Sequence, residues 1–225
     1  MDFKSYYDEK WLARASYFSV HRLRFLQTWD FAQKLSLPRT GQVLDVGGVG
    51  PLSAYLSEVR GWSCAETGSD LRYPLPDVPP DYFDLVLCTE TIEHIKDRET
   101  HSISELEAFN YSGILSLLQE LRRVVKPVGS LILSTPNANS YITLQKWLFG
   151  EVLLMDPRHV REFSMRDLPR VVCESSLHVL MAETINSWDE IFGDSVQQLR
   201  SGLGKISSFG DVERGDNLLI AARKA

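Results

Sequence analysis

The apolar positions along the chain fall into two kinds of run. Gln42-Val43-Leu44-Asp45-Val46-Gly47, Phe83-Asp84-Leu85-Val86-Leu87-Cys88 and Ser130-Leu131-Ile132-Leu133-Ser134 are short and nearly continuous, as in strands buried on both faces. Trp62 to Thr67, Val179 to Ile185 and Leu218 to Ala222 read as further strands. Residues 3–35, Leu52 to Val59, Ile103 to Val125, 140–149 and 165–176 space their apolar side chains as helices do. The first helical stretch is aromatic-rich and ends before Leu37-Pro38; the third stops at Lys126-Pro127.

Strands alternating with helices predict an α/β fold: one doubly wound, mostly parallel, Rossmann-like sheet of about six or seven strands. The expected organisation is a single domain over 1–225, with an N-terminal helical cap at 1–38 and the core at 39–225. Ligands in such sheets sit beyond the carboxyl ends of the strands, near the topological switch point. Asp45–Pro51, Ser69–Leu71, Thr89–His94 and Thr135–Asn137 all fall at those ends.

Composition acts mainly by exclusion. A net charge of −6 over 225 residues lacks the basic footprint that binds phosphate backbones, so no nucleic-acid partner is expected. The basic runs His21-Arg22-Leu23-Arg24 and Arg122-Arg123 read as solvated helix faces. Cys64, Cys88 and Cys173 are too scattered for a disulfide framework or a CxxC metal site. No apolar stretch reaches a membrane span and MDFKSYYDEKW carries no leader-like run, so a cytoplasmic setting is expected.

A strand that turns tightly into a helix needs glycine where a ligand lies against the backbone. VLDVGGVGPLSAYL supplies Gly47, Gly48 and Gly50, with Asp45 at the strand end. An acid some twenty residues on, at the next strand end, would take ribose hydroxyls. Glu66 and Asp70, 19 and 23 positions past Gly47, both qualify.

Four motifs in order then resemble the class I S-adenosylmethionine-dependent methyltransferases over roughly residues 40–185: VLDVGGVG, TGSDLR, YFDLVLCTETIEHI and LQELRRVVKPVGSLILSTPN. The resemblance implies S-adenosylmethionine as cofactor. Asp45, Gly47 and the Gly48–Gly50 backbone would hold its methionine end, and Asp70, with Glu66 second, its ribose. Leu71 would pack near the adenine, and Glu90 would lie close to the bound cofactor. By family analogy Tyr6, Tyr7 and Trp11 form a helical flap over it. Two departures stand out: Val49 and Pro51 replace expected glycines, and the short Asp70–Phe83 connection truncates the third strand.

If Glu90 opens a helix, Glu93 and His94 share its face. His159, in DPRHVREFS, stands at the family's place after strand five. The spacing resembles two metal-using branches, the quinone-biosynthesis O-methyltransferases and the small-RNA 2′-O-methyltransferases. Glu90, Glu93, His94 and His159 are therefore candidate ligands for magnesium, manganese or zinc. Without metal, His94 or His159 is a candidate general base; the bland reading is a helix start stabilised by its acids. The long connection KDRETHSISELEAFNYSG is a candidate substrate loop, and Tyr141, Trp147, Leu148 and Phe149 are candidate pocket aromatics. The expected reaction is methylation of an oxygen on a small-molecule acceptor. The alternatives are an N-methyltransferase, a nicotinamide-dependent reductase and a non-catalytic cofactor-binding partner.

Overall fold

The computed structural model describes residues 1–76, 78–98, 111–205 and 213–225. Most of KDRETHSISELEAFNYSG, with His101, lies outside them. Three helices come first: α1 (Phe3–Lys10), α2 (Ser16–Val20) and α3 (Arg22–Gln33). They replace the single helix expected over 3–35. The chain folds back between them, so that the Tyr7 hydroxyl donates to the Phe18 carbonyl at 2.6 Å and Arg22 pairs with Asp8.

Next come β1 (Gln42–Asp45), α4 (Pro51–Glu58), β2 (Ser63–Glu66) and β3 (Phe83–Thr89). A 3₁₀ turn (Ile92–His94) follows, then α5 (Ser112–Val124), β4 (Val125–Pro136), α6 (Tyr141–Leu148) and α7 (Asp167–Glu174). The chain ends with β5 (Leu177–Ile185), α8 (Asp189–Gly204) and β6 (Asn217–Lys224). The sheet order is β2-β1-β3-β4-β6-β5, parallel through its first four strands, with β6 antiparallel to both neighbours. Among the described residues no strand lies between β2 and β3, as the short connection there predicts. Lys126-Pro127 does not end β4's pairing. The Lys126–Gly129 stretch bulges out between Val125, paired to Phe83, and Ser130, paired to Leu85.

The period of two along the central strands divides two cores. Val43, Leu85, Leu87, Ile132 and Leu219 pack toward α1, α3 and α4. Leu44, Val86, Cys88, Leu131 and Ile220 pack toward α5 and α7. With both faces covered, the strands can differ only at their ends, and the carboxyl ends of β1, β3 and β4 converge on one region.

Candidate functional site

The strand-to-helix turn after β1 is fixed by its glycines and by acids around it. Gly47 and Gly48 adopt φ of +99° and +129°, where side chains are strained. A Cβ on Gly47 would also meet the Thr91 hydroxyl at 3.1 Å. The Gly47 N–H donates to Thr67 Oγ1, the Val49 N–H to Glu66 Oε2 and the Gly50 N–H to Asp45 Oδ2, at 3.0, 3.1 and 2.9 Å. The Ser53 hydroxyl also donates to Asp45. Burial pushes the Asp45 carboxyl up to about 6, against the pull of the Ser53 and Gly50 hydrogen bonds. Pro51 stands at the first position of α4, where no N–H is required, and Val49 lies half-exposed on the wall. The loop borders a cavity of about 300 Å³ with Tyr17, Phe18, Arg24, Phe25, Glu90 and Thr91.

The two candidate ribose acids separate. Glu66 ends β2 opposite Asp45 and touches the glycine loop through Val49. Asp70 is exposed and paired with Arg72 at 2.7 Å; the Arg72 hydrogen bonds hold it down at about 2. Leu71 packs against the α5-side core, and neither Asp70 nor Leu71 lines the glycine-loop cavity.

Glu90 does not open an α-helix. It takes φ of +53°, an uncommon conformation for a residue with a side chain, and only the single 3₁₀ turn follows. Its carboxylate is fully engaged: Ser134 Oγ and Asn217 Nδ2 donate to Oε1 at 2.8 and 2.9 Å, and Arg24 Nη1 lies 2.8 Å from Oε2. Arg24 is buried, which corrects the solvated reading of His21–Arg24. Its other terminal nitrogen donates to the Tyr17 hydroxyl at 2.7 Å. Tyr17, Arg24 and Glu90 form the wall shared by the loop cavity and a second one of about 510 Å³.

That larger cavity collects Glu93, His94 and His159, with one ligand atom from each lying within 4.8 Å of the others. Glu90 stands apart from the three, so the expected four-residue set becomes a two-histidine, one-carboxylate set. Each member is oriented from behind. Thr135 Oγ1 donates to Glu93 Oε2 at 3.0 Å, leaving Oε1 buried without a partner. The His94 Nδ1–H donates to the Arg158 carbonyl at 3.2 Å, and the His159 Nδ1–H to Glu162 at 2.7 Å. A neutral imidazole so bonded carries its lone pair on Nε2, and His94 Nε2 lies 4.0 Å from Glu93 Oε1. Burial, reinforced by Glu90, pushes Glu93 well above the ordinary carboxylate range. An orphaned buried oxygen beside two imidazole lone pairs suits a cation better than a void.

Other expectations do not reach the site. Tyr6, Tyr7 and Trp11 are buried in the core beside α4, and Tyr17 and Phe18 cover the loop instead. Tyr141 is buried against Trp188, while Trp147, Leu148 and Phe149 are exposed. His178 lies exposed on edge strand β5. Sequence reasoning missed Tyr17, His21, Arg24, Glu162 and Trp188; only Glu162, three residues past His159, carried a local signal.

The model of the methyltransferase-domain family matches residues 18–181, more than half of the chain and both cavities' principal walls. No curated protein sequence matches. Among solved structures, the chain is similar to a SAM-dependent methyltransferase from Archaeoglobus fulgidus. Identity is 17%, TM-score 0.59, and 93% of this chain and 99% of that one are covered. A SAM-dependent methyltransferase from Thermotoga maritima gives 19% identity, TM-score 0.57 and coverage of 99% and 98%. A phosphoethanolamine N-methyltransferase 2 from Haemonchus contortus, solved with phosphomonomethylethanolamine and S-adenosylhomocysteine, gives 14%, 0.55 and coverage of 100% and 60%. No described helix is long and apolar enough to cross a membrane. The glycine loop, the strand order and the family match together make this chain a member of the methyltransferase-domain family, a class I S-adenosylmethionine-dependent enzyme.

Proposed function

We propose that the enzyme methylates a hydroxyl oxygen of a small molecule seated in the larger cavity, with Glu93, His94 and His159 as the ligands of a divalent cation. The observation that carries this reading is the convergence of three oriented ligand atoms in the cavity that shares Tyr17, Arg24 and Glu90 with the glycine-loop cavity. Two imidazoles with one carboxylate favour zinc or manganese over magnesium, which takes mostly oxygen. A cation there supplies Lewis acidity that lowers the pKa of an acceptor hydroxyl.

The protein's own contribution is placement. The Gly47–Gly50 backbone and Asp45 hold the methionine end of the cofactor, and Glu66, touching that loop, takes the ribose hydroxyls in preference to Asp70. Glu90, locked by Arg24, Ser134 and Asn217, keeps the wall shared by the cavities in one shape. The hydroxyl proton leaves to solvent water, and transfer forms one O–CH₃ bond as the S–CH₃ bond breaks, leaving S-adenosylhomocysteine; in-line alignment supplies most of the rate.

Transfer of labelled methyl groups from S-adenosylmethionine to a panel of catechols, sugar diols and amines tests this. Labelling of diols that a chelator abolishes and manganese or zinc restores is expected. Labelling confined to amines and indifferent to chelator would overturn the hydroxyl reading.

A further inference from the structure

Two histidines on the larger cavity are set in opposite tautomers. His159 donates through Nδ1 to Glu162 and keeps a lone pair on Nε2. His21, between α2 and α3, has its Nδ1 3.0 Å from the indole Nε1 of Trp188. An indole N–H only donates, so His21 Nδ1 accepts and the ring's proton lies on Nε2. Trp188 is itself held at the start of α8, where Asp216 accepts its backbone N–H and that of Ser187 at 2.7 and 2.8 Å. The Tyr17 ring packs on the imidazole with centroids 4.3 Å apart. Among the described residues no protein group accepts from His21 Nε2.

We propose that His21 is a specificity-determining residue. Its Nε2–H, fixed by Trp188, donates to an acceptor oxygen that the substrate carries away from its reacting hydroxyl. The substrate class is then a hydroxylated small molecule bearing a separate carbonyl or carboxylate oxygen. Both His21 and the Glu93–His94–His159 set line the one cavity, so such a molecule meets a donor and a ligand set in the same space. Burial and the nearby Arg24 guanidinium bring the imidazole down to about 4, which keeps it neutral through the physiological range. A histidine so fixed is ill-suited to take a proton and well-suited to give a hydrogen bond. The inference rests on the hydroxyl-acceptor reading above.

The test has two arms, both on the full chain with S-adenosylhomocysteine and manganese present. Nitrogen-15 NMR of labelled histidine should show His21 neutral and protonated at Nε2 from pH 5.5 to 8; a titrating ring or the other tautomer would overturn the proposal. Calorimetry then compares 3,4-dihydroxyacetophenone with catechol. His21→Phe should weaken the ketone roughly tenfold, the size of one neutral hydrogen bond, and leave catechol unchanged. His21→Gln, whose amide both accepts and donates, should restore most of the loss. Equal losses for both compounds, or none, would overturn the His21 role alone. If the wild type binds neither diol while S-adenosylhomocysteine still binds, the hydroxyl-acceptor reading falls and this inference with it.

Discussion

His94 and His159 meet edge to face, with ring centroids 4.8 Å apart and planes at 80°. Each has its Nδ1 occupied by an oxygen behind it, so neither ring can turn without losing a hydrogen bond. That pairing, with a Glu93 oxygen within 4.8 Å of a nitrogen of each ring, is the geometric basis for the proposed cation site.

Wild-type protein should bind zinc or manganese in calorimetry. Glu93→Gln and His159→Ala should each weaken binding by a hundredfold or more, and Glu162→Gln by about 10–100-fold, the usual effect of losing a ligand's orienting partner. Affinity for S-adenosylhomocysteine should be unchanged in all three. Metal binding indifferent to these substitutions would remove the site.

Glu66→Ala should weaken S-adenosylhomocysteine by about tenfold or more, the loss of a charged hydrogen bond. Asp70→Ala, which removes an exposed ion pair with Arg72, should leave it within about twofold. The opposite ranking in a calorimetric titration would return the ribose to Asp70.

Asp45 gives a pH signature. Its folded pKa of about 6 lies above the ordinary carboxylate value of 3.8, so the folded state holds the proton more tightly. The stability this contributes is present below about pH 4 and is lost as pH rises through 6. Asp45→Asn lacks that loss. In urea unfolding, the variant should therefore gain on the wild type between pH 4 and 7.5, by on the order of 3 kcal/mol. A constant difference across that window would refute the buried, protonatable acid.

Arg24→Leu strands the Glu90 carboxylate in a largely buried wall and should cost about 3 kcal/mol. Adding Glu90→Gln should recover most of it, because the uncompensated charge is then gone. If urea unfolding shows the two costs simply adding, Arg24 and Glu90 do not act as a pair.

Much of the frame was legible because its causes are local. Apolar runs marked the strands of the sheet, glycines marked the turn after β1, and an abrupt Asp70–Phe83 connection marked the absent strand. Boundaries slipped where tertiary packing overrode local preference. Residues 3–35 broke into three helices to cover α4, and Lys126–Gly129 bulged out of β4 without ending its pairing with β3. Glu90, Glu93 and His94 line one cavity, but not through the geometry expected of them. The helical face expected there is a 3₁₀ turn after a left-handed Glu90.

The sequence by itself determined the α/β class and the glycine turn after β1, because periodicity and turn chemistry act over a few residues. Which acid meets the loop, which arginine locks Glu90, and which nitrogen of each histidine is hydrogen-bonded were decided only by the tertiary structure. Those outcomes hang on partners such as Arg24 with Glu90 and His21 with Trp188, the latter 167 positions apart. No local propensity encodes such a pairing; it exists only once the sheet and its covering helices have packed.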